Sequence, residues 1–167
     1  MRFEPANESH AEFICELRNN LEETTRFLAN TQIHSIDNCK EWISSLPSSS
    51  ERIVVYDGIN IVGLIRLDNI DFINQNCCVG LDILPKERGR GCSKRVYSLL
   101  LDYLFNYLNM YSVWLEVIAN NVVAIKLYEK LGFKECGRKH NFIYRDGERW
   151  DYIVMELFRE EYFEKKN

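Results

Sequence analysis

The sequence predicts an α/β protein with a mixed, mostly antiparallel central sheet and helices on both faces. Three observations carry that expectation. Strand-like runs fill Arg52–Leu84 and recur at 111–118 and 141–157. Helical patterns precede them and separate them, as in a layered sheet covered by helices. Two Asp-Gly pairs, Asp57-Gly58 and Asp146-Gly147, each sit between apolar runs, which marks tight hairpins. A length of 167 residues suits one domain, 1–167, and a 46% hydrophobic share is ample for its core.

Taken in order, Arg2–Glu4 reads as a short strand ended by Pro5. Ser9–Asn19 and Glu22–Ala29 read as helices. Ser35 or Asp37 caps a third helix running through Leu46, with Ile36, Trp42, Ile43 and Leu46 as its apolar face. "SSLPSSSE" is a polar turn. "RIVVY" and "INIVGLIRLDN" then form a hairpin, and Cys77–Leu84 is a strand stopped by Pro85. Val96, Leu100, Leu104 and Leu108 repeat at i, i+4 in the next helix. Tyr111–Ile118 is a strand. "NNVVAIKLYEKLGF" is a helix capped by Asn120 or Asn121 and closed by Gly132. "NFIYRDGERWDYIVMEL" is a second hairpin, and a charged segment ends the chain. Strand, loop, helix and strand from Cys77 to Ile118 make a right-handed crossover between parallel strands.

Composition excludes several classes. No apolar run is long enough to span a membrane, and "MRFEPANESH" lacks the apolar core of a secretion signal, so a cytoplasmic location is expected. A net charge of −4 argues against a nucleic-acid partner. Six cysteines show neither C-x-x-C pairing nor a nearby histidine at zinc spacing, so reduced thiols and no metal are expected. His10, His34 and His140 form no motif; only His34 is a candidate for substrate contact. Monomer and homodimer both remain open.

"ERGRGCSK" joins a strand end to a helix start. Helix N-termini present unpaired N–H groups and partial positive charge, and glycines let amides converge. Arg88, Arg90, Lys94 and Arg95 add formal charge. Taken alone, the loop is equally well a solvated basic turn or an anion seat. Neither a P-loop nor a dinucleotide fingerprint is present.

About thirty residues further on stands "LEVIANNVVAIKLYEKLGF". Together the two stretches resemble the GNAT superfamily of acetyl-CoA-dependent N-acetyltransferases. The family's loop, Q/R-x-x-G-x-G/A, reads Arg88-Gly89-Arg90-Gly91-Cys92-Ser93, with serine at the last place. Its second signature, N-x-x-A-x-x-L-Y-x-x-x-G-F, is met at Asn121, Ala124, Leu127, Tyr128, Gly132 and Phe133. The resemblance is close from Val79 to Phe133 and loose over the first fifty residues.

The resemblance implies the acyl-CoA N-acyltransferase fold, in which the strands at 77–84 and 111–118 splay apart. Acetyl-CoA is the implied cosubstrate. Its pantetheine arm would pair with backbone near Ile83 and Leu84, and its pyrophosphate would sit on the amides from Arg88 through Gly89, Arg90, Gly91, Cys92 and Ser93 to Lys94. Asn121 would lie near the arm, and Tyr128 would face the thioester sulfur. Tyr128 is then the acid for the leaving thiolate, although the bare sequence equally allows a packing residue. Glu116, a carboxylate in an apolar strand, is either a base or a substrate contact. Asp82 is a candidate acceptor contact or an exposed carboxylate. Phe142, Tyr144, Trp150 and Tyr152 pack the hairpin, and one or two of them could wall the acceptor site.

Arg18-Asn19 is similar to the early R-N of acetyltransferases acting on nucleotide-linked amino sugars, so such a sugar is the first expected acceptor. A polyamine of the spermidine type and a protein N-terminus, as in ribosomal-protein acetyltransferases, are the alternatives. A non-catalytic acyl-CoA sensor is the alternative outside enzymes.

Overall fold

The hairpin turns behave as their sequences require. A computed structural model describes residues 1–166. In it Asp57 pairs with Asn60 across a loop in which Gly58 takes φ +62°, and Asp146 (φ +53°) and Gly147 (φ +82°) turn the second hairpin. Seven strands result: β1 Arg2–Pro5, β2 Glu51–Asp57, β3 Asn60–Asp71, β4 Asn76–Ile83, β5 Ser112–Ile118, β6 Lys134–Arg145 and β7 Glu148–Phe158. Their order in the sheet is β1-β2-β3-β4-β5-β7-β6. β4 and β5 are parallel; the pairs β1–β2, β2–β3, β5–β7 and β6–β7 are antiparallel.

Five helices accompany the strands: α1 Ala11–Asn19, α2 Ile36–Ser44, α3 Cys92–Asn106, α4 Val122–Leu131 and α5 Arg159–Lys166. Ser35 caps α2 through a reciprocal pair with Asn38. Asn121, the second of the two candidates, caps α4 by accepting from Ala124 N. Gly132 closes α4 at φ +108°, a conformation that disfavours any side chain.

Two compact units divide the chain: Met1–Asp68 with Gly80–Val96, and Asn69–Val79 with the residues from Tyr97 onward. In the first, Ala11, Ile14 and Leu17 of α1 and Cys39 and Ile43 of α2 bury against Val54 and Leu64 of β2 and β3. In the second, the inner face of the sheet carries Val113, Leu115, Val117, Ile153, Met155 and Leu157. Each such large side chain, fully buried, contributes roughly 1.5–3 kcal/mol.

Three sequence expectations are corrected, and one segment left without an assigned structure takes one. Glu22–Ala29 is not a helix; a single 3-10 turn at Thr25–Phe27 remains. Asn20 captures the chain there, its side chain accepting from Glu23 N and its carbonyl from Thr24 N and Thr25 N. Leu108 lies beyond α3, which ends at Asn106; the chain turns at Asn109 (φ +55°) and buries Met110 instead. The second hairpin's first strand starts at Lys134, seven residues' worth of exposed, charged chain that carries no apolar alternation because it is a sheet edge. The charged tail is helix α5, tied down by Tyr162, which packs 5.3 Å from Phe105 and donates to Asp102 at 3.1 Å.

All six cysteines are unbridged. Among the described residues no helix is long and apolar enough to cross a membrane, and no group of metal-binding side chains is assembled.

Candidate active site

The first unit carries the loop. β4 pairs with β5 at Asn76–Cys78 and the registered pairing then stops, although β4 continues to Ile83 and β5 to Ile118. After Pro85–Glu87, Gly89 and Gly91 both adopt φ +74°. A Cβ on either would meet nothing within 4 Å, so the conformation alone demands glycine there. The ladder of α3 opens with Arg95 N donating to Gly91 O at 3.1 Å. The N–H groups of Cys92, Ser93 and Lys94 precede that bond and have no partner within the helix.

The four basic residues divide into two kinds. Arg88 is a brace: its Nε donates to Ile83 O at 3.0 Å and its terminal nitrogens to Glu23 O and Thr24 Oγ1. Its own amide donates to Pro85 O. Arg95 lies 3.5 Å from Asp57. Arg90 and Lys94 are exposed and make no ion pair or hydrogen bond among the described residues, which leaves them as the loop's uncommitted cations. Cys92 opens α3 and is buried, and burial pushes its thiol above its ordinary range, so it is a poor nucleophile. Ser93 follows it, half-buried. Leu84 N donates to Val62 O.

Asp82, on the same unit, is buried and forked by Arg66, Nε to Oδ2 at 3.0 Å. Arg66, which sequence reading missed, needs Gly80: a Cβ there would lie 2.7 Å from its guanidinium. Arg18 stacks 5.0 Å from the Trp42 ring; Arg52 covers the same ring at 4.7 Å. Burial, and then Arg66, lower the Arg18 pKa. Asn19 is structural in its contacts, bridging His34 through Oδ1 and Nδ2.

The second unit carries Tyr128, Asn121 and Glu116. Tyr128 is half-buried on α4, with Tyr97 and Phe133 edge-on to its ring. The Asn121 side chain, spent through Oδ1 on the cap, still has an NH2 donor. Glu116 stands on the half-buried face of β5 with Trp114 and is ion-paired with Lys139 of β6, another residue that sequence reading missed. Alternation along the strand could give its face but not its partner, because the partner depends on the register of β6.

A family model described as "Acetyltransferase (GNAT) family" matches residues 15–133. The spermidine N(1)-acetyltransferase of Vibrio cholerae is 29% identical over 119 residues, 71% of this chain and 69% of that protein. The spermidine N(1)-acetyltransferase of Escherichia coli K12 is 32% identical over 114 residues, 68% of this chain and 61% of that protein. Among solved structures, the spermidine N-acetyltransferase from Vibrio cholerae in complex with CoA and spermine superposes with a TM-score of 0.90 at 26% identity, covering 97% of both chains.

Proposed function

The chain belongs to the acetyltransferase (GNAT) family and is an acetyl-CoA-dependent N-acetyltransferase, and from that premise we propose that its acceptor is a polyamine of the spermidine type. The observation that carries the acceptor is the near-complete superposition on a spermidine N-acetyltransferase holding CoA and spermine. This replaces the nucleotide-linked amino sugar as first choice.

The residues fit the cosubstrate. A pyrophosphate needs converging donors and uncommitted positive charge; the first-turn amides of α3, the two left-handed glycines, Arg90 and Lys94 offer both. Strand backbone near Ile83 and Leu84, beyond the last registered pair with β5, offers an edge for an extended arm. The Asn121 NH2 group adds a donor. When bound, acetyl-CoA supplies an acyl group as a thioester.

The neutral amine nitrogen would bond to the acyl carbon as the C–S bond breaks; Tyr128 Oη would give its proton to the departing thiolate, and the proton the new amide nitrogen sheds would pass through water to restore the phenol. A phenol is protonated at neutral pH and so is ready for that step. The three-ring packing fixes where its hydroxyl can reach. No acyl-cysteine is used, in keeping with the buried Cys92 thiol.

One observation favours a second acceptor class, an amine bearing phosphate. Glu23 and Asp82, carboxylates that could hold a polycation, are already paired with Arg88 and Arg66, whereas Arg18 has a cation to offer. A panel followed by release of free thiol decides between them: spermidine, spermine, a nucleotide-linked amino sugar and a peptide with a free N-terminus. Spermidine is expected to give the highest kcat/KM. Turnover confined to the sugar nucleotide overturns the polyamine reading.

A further inference from the structure

The Lys139 ammonium touches more than Glu116. Its Nζ lies 5.2 Å from the centre of the Phe142 ring and 5.8 Å from that of Tyr152. Those two rings stack with their planes 6° apart and centroids 6.1 Å apart. One carboxylate and two π faces therefore surround one alkylammonium group.

The register explains the arrangement. Ile118 pairs with Tyr152, and Tyr152 with Lys139; Glu116 pairs with Val154, and Val154 with Gly137. Directly paired residues share a face, and so do residues two apart on one strand. Glu116, Tyr152 and Lys139 thus stand on one face. Gly137 puts no side chain in the way, and a Cβ there would find its nearest atom, on Val154, only at 4.0 Å. Lysine can cross that row to reach Glu116. The β6 register then shifts between Lys139 and Ile143, with Asn141 at φ +51° and its amide bonded to Asp151 Oδ1, and Phe142 emerges stacked over Tyr152 while more than half exposed. The neighbouring charges on β6 and β7 settle among themselves, Arg138 binding both Glu135 and Asp151.

A surface lysine–glutamate bridge contributes little to stability and needs no aromatic walls. Paired π faces beside a carboxylate are instead what recognition of an organic ammonium uses. Lysine's terminus is chemically the group that a primary amine presents when protonated. We propose that Glu116, Phe142 and Tyr152 form the seat for the acceptor's alkylammonium group, and that Lys139 is its resident occupant, displaced when the acceptor binds. This rests on the reading that the acceptor is an amine, and it adds the side chains that take it and the internal competitor that tunes its affinity.

The test is an NMR titration of the whole chain with n-butylammonium, with Lys139→Met, Lys139→Gln and Lys139→Arg compared with wild type. Emptying the seat tightens binding about fivefold in Lys139→Met and Lys139→Gln, by the usual strength of such contacts. Lys139→Arg, still cationic, binds no tighter than wild type. Adding Glu116→Gln to Lys139→Met abolishes the gain. Equal affinity of wild type and both neutral variants overturns the proposal, as does a gain that survives Glu116→Gln. Thermal melts of each variant separate misfolding from loss of the seat. Spermidine turnover is scored separately: no turnover with a preserved butylammonium gain removes the polyamine and keeps the seat.

Discussion

Tyr97 and Tyr128 meet edge to face, their ring centroids 5.6 Å apart at an interplanar angle of 81°. Phe133 completes the set, 6.4 Å from Tyr97 and 5.9 Å from Tyr128. Tyr97 belongs to α3, which follows the glycine loop, and Tyr128 to α4, which Asn121 caps. The contact thus packs the proposed acid against α3 within the second unit, and it separates the ring's role from the hydroxyl's. Tyr128→Phe keeps the ring and loses only the oxygen. The expected result is a fall in kcat of about 10²–10⁴-fold, the usual worth of general acid catalysis, with acetyl-CoA affinity little changed. Steady-state kinetics and calorimetry with CoA check this. A wild-type kcat in the variant would mean that Tyr128 only packs.

Gly91 tests the loop. Alanine there clashes with nothing, but its Cβ disfavours φ +74° by about 1–2 kcal/mol. The loop relieves that strain by turning its amides away from their common point. Gly91→Ala is expected to raise the KM for acetyl-CoA about tenfold, following from that energy, while leaving the melting temperature within a few degrees. Arg90→Glu with Lys94→Glu is expected to weaken CoA binding further and to flatten its salt dependence. Calorimetry at two ionic strengths distinguishes amide geometry from charge.

Cys39 makes stability depend on alkaline pH. Burial first, and then Cys15, push its thiol from 9.0 up to about 11. The unfolded chain, whose thiol is unperturbed, therefore ionises first as pH rises. Stability from this group is intact below pH 9 and is lost as pH climbs from 9 to about 11. Urea melts across that window are expected to show a falling midpoint. Cys39→Ala starts lower at pH 7, because it leaves a small cavity between α1 and α2, but falls less steeply. Parallel slopes for the two proteins would assign the alkaline loss to other groups.

The legible parts of the sequence are those in which local chemistry settles local structure. Asn121 and Gly132 bracket α4 by themselves, and Asp146-Gly147 turns a hairpin whatever surrounds it. Residues 22–29 failed because Asn20 competes for the backbone, an effect that hydrophobic spacing does not register. In the site, the loop and Tyr128 were visible because they form contiguous motifs. Arg66 with Asp82 and Lys139 with Glu116 were not, since each pair joins different strands, 16 and 23 residues apart, and depends on register. The bulged register of β6 in particular cannot be counted off from residue alternation. Basic residues in the loop were visible as a set, whereas their division into the brace Arg88 and the uncommitted Arg90 and Lys94 depends on the distant acceptors, Glu23 O and Thr24 Oγ1, that the fold brings to Arg88.

Arg18 offers the last prediction, because its charge costs the fold more than its one ring contact visibly returns. The fold penalises its charge: burial lowers its pKa, and Arg66 and Arg52 lower it further, with Asp82 compensating only in part. What it gains is a stack on Trp42, and Arg52 already covers that ring. Methionine has a similar unbranched stem, keeps contact with the indole and carries no charge. Arg18→Met is therefore expected to unfold at the same or a higher urea midpoint than wild type, by up to about 1 kcal/mol, where loss of a structural arginine would lower it. If Arg18 serves a phosphate-bearing amine, the same variant raises the KM for that acceptor and leaves the KM for acetyl-CoA in place. If the acceptor is a polyamine, removing the cation instead lowers the spermidine KM or does not move it. A clear loss of stability in Arg18→Met would show that Trp42 needs both guanidinium groups, and would return Arg18 to the scaffold.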